Sequence, residues 1–341
     1  MTDLVPRPVD NPPNPWSSTH VEYLDEPPPA RLEVFHDHAR SIIARNDSPD
    51  IPFRWSLNPY RGCMHACAYC YARPSHQHLG FGAGTDFDRK IVVKPDAPAL
   101  LREAFDKRSW LGEAIMLSGN TDCYQPLEAS YALTRACLEV CADYRNPVGV
   151  ITKSALVRRD ADVLARIARD SVARVMLSIP FARDEDALKI EPWAARVSRR
   201  FEALRALSDA GVPTGVSLSP IIPGLNDHDI PELLERARDA GATTAFMIAL
   251  RLPGEVGPIF EARLREAFPD RAARVRSQLI DIRPNRLDER AFGARMRGEG
   301  PRWEIVRQLF HAHARRLGFE PRPAIEAPGC FRRPSPQGEL F

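Results

Sequence analysis

The sequence predicts an α/β fold: a partial (βα)6 barrel on a parallel sheet, with an N-terminal arm before it and a C-terminal helical extension and tail after it. Two observations carry this expectation. From residue 53 onward, short apolar runs alternate with longer helical patterns at roughly 30-residue spacing, as right-handed βαβ units require. The runs are continuously apolar rather than alternating, as strands covered on both faces should be.

Residues 1–30 hold "NPPNP" and "DEPPPA", a composition that buries no core and reads as an extended, partly disordered arm. "RLEVFHDHARSIIAR" (31–45) has apolar spacing that suits a helix or a strand, and the arm is placed at residues 1–52. The strands that follow are "AIMLSG" (114–119), "PVGVITK" (147–153), "VARVMLSIP" (172–180), "VPTGVSLSP" (212–220) and "TAFMIALRLP" (244–253). Between them lie the helices "ASYALTRACLEVCADY" (129–144), "DADVLARIARD" (160–170), "RRFEALRALSDAG" (199–211) and "DIPELLERARDAG" (229–241). Several of these close on Gly or Asn, a common C-terminal signal. With the segment before the cysteines this makes about six units, too few to close an eight-unit barrel. The barrel is assigned to residues 53–285. An Arg- and Gly-rich stretch, "RLDERAFGARMRGEGPRW", opens the extension at 286–341, a helix "WEIVRQLFHAHARRLG" follows, and the last 22 residues read as a flexible tail.

The chain has 341 residues, 44% hydrophobic and 27% charged, with a formal net charge of +2. That balance gives no whole-chain argument for nucleic acid. No apolar run approaches the roughly 18–20 residues needed to cross a bilayer, and the N-terminus lacks a signal-peptide core. The expected location is the cytoplasm. Seven cysteines there read as metal ligands, catalytic thiols or buried small residues rather than disulfides.

"NPYRGCMHACAYCYARP" (58–74) sets Cys63, Cys67 and Cys70 at Cys-x3-Cys-x2-Cys spacing. Three thiolates in so short a loop can wrap one corner of an iron–sulfur cube and leave the fourth iron open. A structural zinc site would want four ligands, with His65, His76 or His78 supplying one. The spacing, the aromatic Tyr69 before the third cysteine, and the place after the first strand favour iron–sulfur.

The motif resembles the signature of the radical S-adenosylmethionine (SAM) superfamily, whose barrels are partial and TIM-like. The wider context resembles the spore-photoproduct-lyase-like "DNA repair photolyase" branch, through "NPYRGCMHACAYCYAR", "TDCYQPLE", "ITKS", "SPIIPGLND" and "FGARMRGEGP". The resemblance implies a [4Fe–4S] cluster on Cys63, Cys67 and Cys70, and SAM bound at its open iron. It implies Tyr69 beside the adenine and Ser118, Gly119, Asn120, Thr121 and Asp122 at the SAM amino group. It sets Lys153 and Ser154 at the SAM carboxylate, Ser178 near the ribose, and Ile222 of "PIIPG" against adenine. Plain strand-end capping and a solvated lysine are the competing readings of Ser118, Ser178 and Lys153. Reductive cleavage of SAM would yield a 5′-deoxyadenosyl radical, fed by a flavodoxin or ferredoxin.

The sequence departs from that branch at Gly119, which stands where spore photoproduct lyase has its hydrogen-donating thiol. Cys123, four residues on, is a candidate replacement, and Tyr71 and Tyr124 are alternative relays. Cys137 and Cys141 share one helix face and read as core; Cys330 reads as incidental. The ending "PQGELF" resembles the short peptide by which bacterial replication and repair proteins bind the sliding clamp, through Gln337, Leu340 and Phe341. Arg286, Arg290, Arg295, Arg297 and Arg302 are candidate phosphate contacts or a solvated face. The leading expectation is a radical-SAM enzyme acting on DNA. Its rivals are a radical-SAM enzyme acting on protein, RNA or a small metabolite, and a non-catalytic iron–sulfur sensor or clamp-tethered scaffold.

Overall fold

A computed structural model describes residue 15 and residues 31–283, 292–293, 295–320, 325 and 329–334. Its strands are β1 (Glu33–His36), β2 (Ile43–Arg45), β3 (Trp55–Leu57), β4 (Tyr60–Arg61), β5 (Lys90–Val93), β6 (Ile115–Leu117), β7 (Val148–Thr152), β8 (Ala173–Ser178), β9 (Thr214–Ile221) and β10 (Thr244–Ala249). Seven of them form one sheet in the order β10-β9-β8-β7-β6-β3-β2, and β1-β5-β4 form a second. In the large sheet β3, β6, β7, β8, β9 and β10 are laddered in parallel, one to the next. These are the strands of the six expected units. The short β2 adds an antiparallel edge. β10 and β2 do not pair, so the barrel stays open, as its unit count requires.

The outer face is covered by the crossover helices. Leu164 and Ile167 from Ala161–Asp170, Leu204 and Leu207 from Val197–Asp209, and Leu233 and Leu234 from Ile230–Asp239 are all buried in one core. Inside, register sets Met116 beside Gly149. A Cβ on Gly149 would stand 2.6 Å from Met116 Cε and 2.5 Å from Ile325 Cδ1. The glycine therefore makes room for a thioether from the neighbouring strand and for a side chain from the far C-terminal segment.

Of the tail expected from residue 320, the described residues are held against the body of the fold. Glu320 bridges to Thr244, and its N–H donates to Thr243 O at 2.9 Å. Phe331 lies against Phe105 and Tyr144, and Arg333 donates to the carbonyls of Phe105, Lys107 and Trp110. Aromatic burial and three backbone acceptors hold residues whose composition alone reads as unstructured. Thr244 opens β10, so this end of the chain docks at the N-terminal ends of the strands, opposite the end where such folds carry chemistry.

The stretch 31–45, whose spacing suits a helix or a strand, forms two short strands. One further difference has a local cause. The expected helix at 129–144 breaks at Ala132 (φ 51°) into Glu128–Tyr131 and Leu133–Asp143. Buried Glu128 accepts from the N–H groups of Thr134 and Arg135, satisfying donors at the start of the second helix. Tyr60 and Arg159 also donate to Glu128, at 2.5 and 2.6 Å. One carboxylate therefore ties the cysteine-loop strand, the helix break and the segment after β7 together.

Candidate functional site

The cysteine loop follows β3 and β4 at the C-terminal end of the sheet, and its shape is fixed by long-range hydrogen bonds. Arg73, 1% exposed, donates to Cys67 O through two nitrogens, to Ala83 O and Gly84 O, and to the Asp88 carboxylate. The Gly62 carbonyl accepts from the Thr121 hydroxyl and from the Gln125 amide, and Gln125 Oε1 accepts from Met64 N. On the far side Ala68 N donates to Ile190 O and Trp193 N to His65 O, at 3.0 and 3.2 Å. Tyr69 donates to Glu191, and Glu191 pairs with Arg200 at 2.5 Å. Arg200 also donates to Ser178 O and Ala195 O. Burial pushes the Glu191 carboxyl up, while Arg200 opposes the shift. Breaking such a buried pair costs about 3–5 kcal/mol, because the surviving charge is left uncompensated.

Cys63, Cys67 and Cys70 are free thiols. Cys63 packs with Ala72 and Phe87, Cys67 belongs to the main core, and Cys70 packs against both. Burial pushes the Cys67 thiol well up, with Glu191 adding to it. Burial, then Cys63, pushes Cys70 up to about 11. A bound cationic group would supply what these thiols lack as thiolates. Among the described residues no three His, Cys, Asp or Glu side chains converge on a single-ion site. A cube takes one thiolate per iron and needs no such convergence. His76, buried, turns Nε2 to Lys90 O at 2.9 Å. The donor set fits an iron–sulfur cluster.

The segment after β6 is a strut. Ser118 (φ 75°) accepts from Cys123 N, and Asn58 accepts from the N–H groups of Asn120 and Thr121. Asp122 accepts from Tyr124 N, the Thr152 hydroxyl and Lys153 N, and pairs with buried His65 at 3.4 Å. Burial pushes the Asp122 carboxyl up, but His65 and these donors outweigh it and hold it at about 2. Its oxygens are therefore engaged within the protein. Ser154 caps the turn Ala155–Asp160 by accepting from Leu156 N. Lys153 Nζ stands 5.5 Å from the centroid of the Tyr69 ring, above the cysteine loop.

Further round, Ser178 ends β8 buried, paired in register with Ser217. Ile222 is fully buried, its N–H donating to Asn226 Oδ1 at 2.6 Å. Among the described residues, the hydroxyls of Ser217 and Ser219 and the Nε of Arg251 are buried without a hydrogen-bond partner. Buried polar atoms are normally paired. The two serine orphans on β9 are what a site for a polar, charged ligand such as SAM would show.

The relay candidates separate. Cys123 and Tyr124 are fully buried, and Tyr124 donates to Asp160 at 3.0 Å. Tyr71 is 51% exposed and donates to Gly119 O at 2.9 Å. A Cβ on Gly119 would stand 3.2 Å from Ser56 Cβ. Cys137 and Cys141 are core residues, and Cys330 is half-buried. Of the arginines, Arg295 pairs with Asp50 at 2.6 Å and Arg302 with Asp281 at 3.3 Å, while Arg297 is exposed. Arg286 and Arg290 lie outside the described residues. Sequence reasoning missed Arg73, Glu191, Arg200 and Arg251. Arg73 follows the motif directly, and a buried cation there is the one signal that was within reach.

A six-stranded open barrel with three free thiols on the loop after its first parallel strand defines an iron–sulfur enzyme class. The model of the radical SAM superfamily matches residues 57–237, over half of the chain, and the chain belongs to that superfamily. An uncharacterized protein of Mycobacterium tuberculosis is 36% identical over 228 residues, 66% of this chain and 67% of the relative. A radical SAM Nalpha-GlyT isomerase of Pseudomonas phage M6 is 24% identical over 217 residues, 62% of this chain and 43% of that protein. A structure of spore photoproduct lyase complexed with dinucleoside spore photoproduct shares the fold at TM-score 0.57 and 15% identity, over 83% of this chain and 79% of that one. The protein is a radical SAM enzyme whose cofactors are a [4Fe–4S] cluster and SAM, and it requires an electron donor. No helix among the described residues is long and apolar enough to cross a membrane.

Proposed function

We propose that Cys63, Cys67 and Cys70 ligate the cluster and that the enzyme acts on DNA. When bound, the cluster and SAM supply a 5′-deoxyadenosyl radical that abstracts hydrogen from the substrate. The chain's own residues position and enclose. Lys153 offers its ammonium to the SAM carboxylate, Ser178 and Ser217 offer hydroxyls, and Ile222 walls the adenine. Asp122 acts by fixing the loop to β7, with its oxygens already taken. Tyr71 is the relay candidate whose hydroxyl lies on the exposed side of the cysteine loop, and Cys123 serves packing.

The observation that supports DNA is the rim beyond Tyr71. Arg251 and Arg295 stand there beside the exposed rings of Tyr71 and Phe292. Cations interleaved with aromatic faces suit a nucleic acid strand. The fold neighbour is a spore photoproduct lyase in complex with a dinucleoside spore photoproduct, which accords with this reading. A lyase acting in DNA repair, in the cytoplasm, with flavodoxin or ferredoxin as reductant, is the form it takes. Sliding-clamp contact through Gln337, Leu340 and Phe341, which lie outside the described residues, is tested by deleting 337–341 and following clamp association by gel filtration.

The test of substrate is anaerobic reconstitution and reduction with SAM, following 5′-deoxyadenosine with and without a panel of damaged and thymine-rich DNA. Formation that rises with DNA is expected. Formation indifferent to every DNA in the panel would move the substrate to protein, RNA or a small metabolite.

A further inference from the structure

Arg251 follows β10 and stands over Tyr71, its Cζ 5.8 Å from the ring centroid. Tyr71 is pinned by its hydroxyl to Gly119 O. The guanidinium is half-buried, and its Nε is buried with no hydrogen-bond partner among the described residues. The acid that shares this rim is Asp50, and Asp50 is already taken: one oxygen accepts from Gly293 N at 2.7 Å and the other from Arg295 at 2.6 Å. Arg295 also donates to Ser48, and its own carbonyl accepts from Arg283. Arg295 is therefore a neutralised, immobile part of the frame. Arg251 has no such hydrogen bond to Asp50; burial, then the Arg295 charge, presses against its protonated form, and Tyr71 and the already bonded Asp50 oppose this at a distance. A half-buried guanidinium beside a second cation is a group that an anion arriving from outside would complete.

We propose that Arg251 is a substrate-binding residue that receives a backbone phosphodiester of a DNA strand entering over Tyr71. The proposal rests on the nucleic-acid reading above and names its phosphate contact. A planar fork that can take two phosphate oxygens is the group suited to that anion. Two exposed rings flank it, Tyr71 below Arg251 and Phe292 below Arg295, the latter with Cζ 4.7 Å from the centroid. A bare carboxylate ligand would make no use of these rings, whereas unstacked bases would.

The experiment is fluorescence anisotropy of an end-labelled single-stranded thymine oligonucleotide with the reconstituted, SAM-loaded holoenzyme, across a salt series. Arg251→Gln is expected to weaken binding about tenfold or more. It should also lower the slope of log affinity against log salt by roughly 0.7, one phosphate contact. Arg251→Lys keeps the charge without the fork, so it should hold the slope and recover part of the affinity. An Arg251→Gln protein with wild-type affinity and slope would overturn the proposal. So would unchanged oligonucleotide binding with reduced SAM affinity by equilibrium dialysis, which would give the cation to the SAM carboxylate. Failure of the wild type to bind any oligonucleotide would overturn the nucleic-acid reading itself, and this assignment with it.

Discussion

The cysteine loop and the rim around Arg251 lie at the same end of the barrel and are built on opposite terms. In the loop the polar groups are largely spent internally. Arg73 donates to three carbonyls and a carboxylate, Asp122 accepts from three donors, and Tyr69, Glu191 and Arg200 form one buried chain. At the rim the buried Nε of Arg251 has no partner among the described residues, and two aromatic rings face solvent. On the proposed function, the difference separates two tasks. A cofactor must be held in one geometry, so its frame is over-determined. A substrate must enter and leave, so its surface keeps groups that only the substrate completes.

Substitutions in the two regions should therefore fail differently. The largest effect is expected from Cys63→Ala, which should abolish cluster loading and SAM cleavage together, read by iron content and 5′-deoxyadenosine. Glu191→Gln leaves Arg200 buried without its counter-charge and should cost about 3–5 kcal/mol in denaturant unfolding. If it costs under 1 kcal/mol, the loop is not braced from β8 in this way. At the opposite end of the barrel, Arg333→Ala removes three donors from backbone carbonyls and should cost about 1–3 kcal/mol. It should leave SAM cleavage per loaded cluster at the wild-type rate, and a fall in that rate would deny that the two ends are separable. The smallest effect on stability is expected from Tyr71→Phe, about 1 kcal/mol for one half-exposed hydrogen bond. Its signature is chemical: 5′-deoxyadenosine should still form, while its ratio to final product shifts. An unchanged ratio would remove Tyr71 from the relay.

The frame of this molecule was legible because each of its signals is local. Continuous apolar runs mark β6 to β10, and the cysteine spacing marks the loop. What was not legible depends on partners far apart in sequence. Glu191 and Arg200 read as ordinary surface charges until the fold sets them against Tyr69, 122 residues away in the case of Glu191. The break at Ala132 is hidden in a helical pattern, because its cause is the Glu128 carboxylate turning back on Thr134 and Arg135. The docking of residues 329–334 hangs on Phe331 and Arg333 meeting the 105–110 turn, which composition does not record. Asp122 shows the same limit at the site. Its position in the motif was readable, but its engagement with β7 and His65, which makes it a strut, was not.

The central claim is that the loop at Cys63, Cys67 and Cys70 holds one cluster with an iron open to SAM. Electron paramagnetic resonance of the anaerobically reconstituted, reduced protein with and without SAM tests it most directly. The account predicts a cluster signal that SAM changes in the wild type and that is absent in Cys63→Ala. A fully loaded cluster whose signal is indifferent to SAM, or one retained intact in Cys63→Ala, would contradict it.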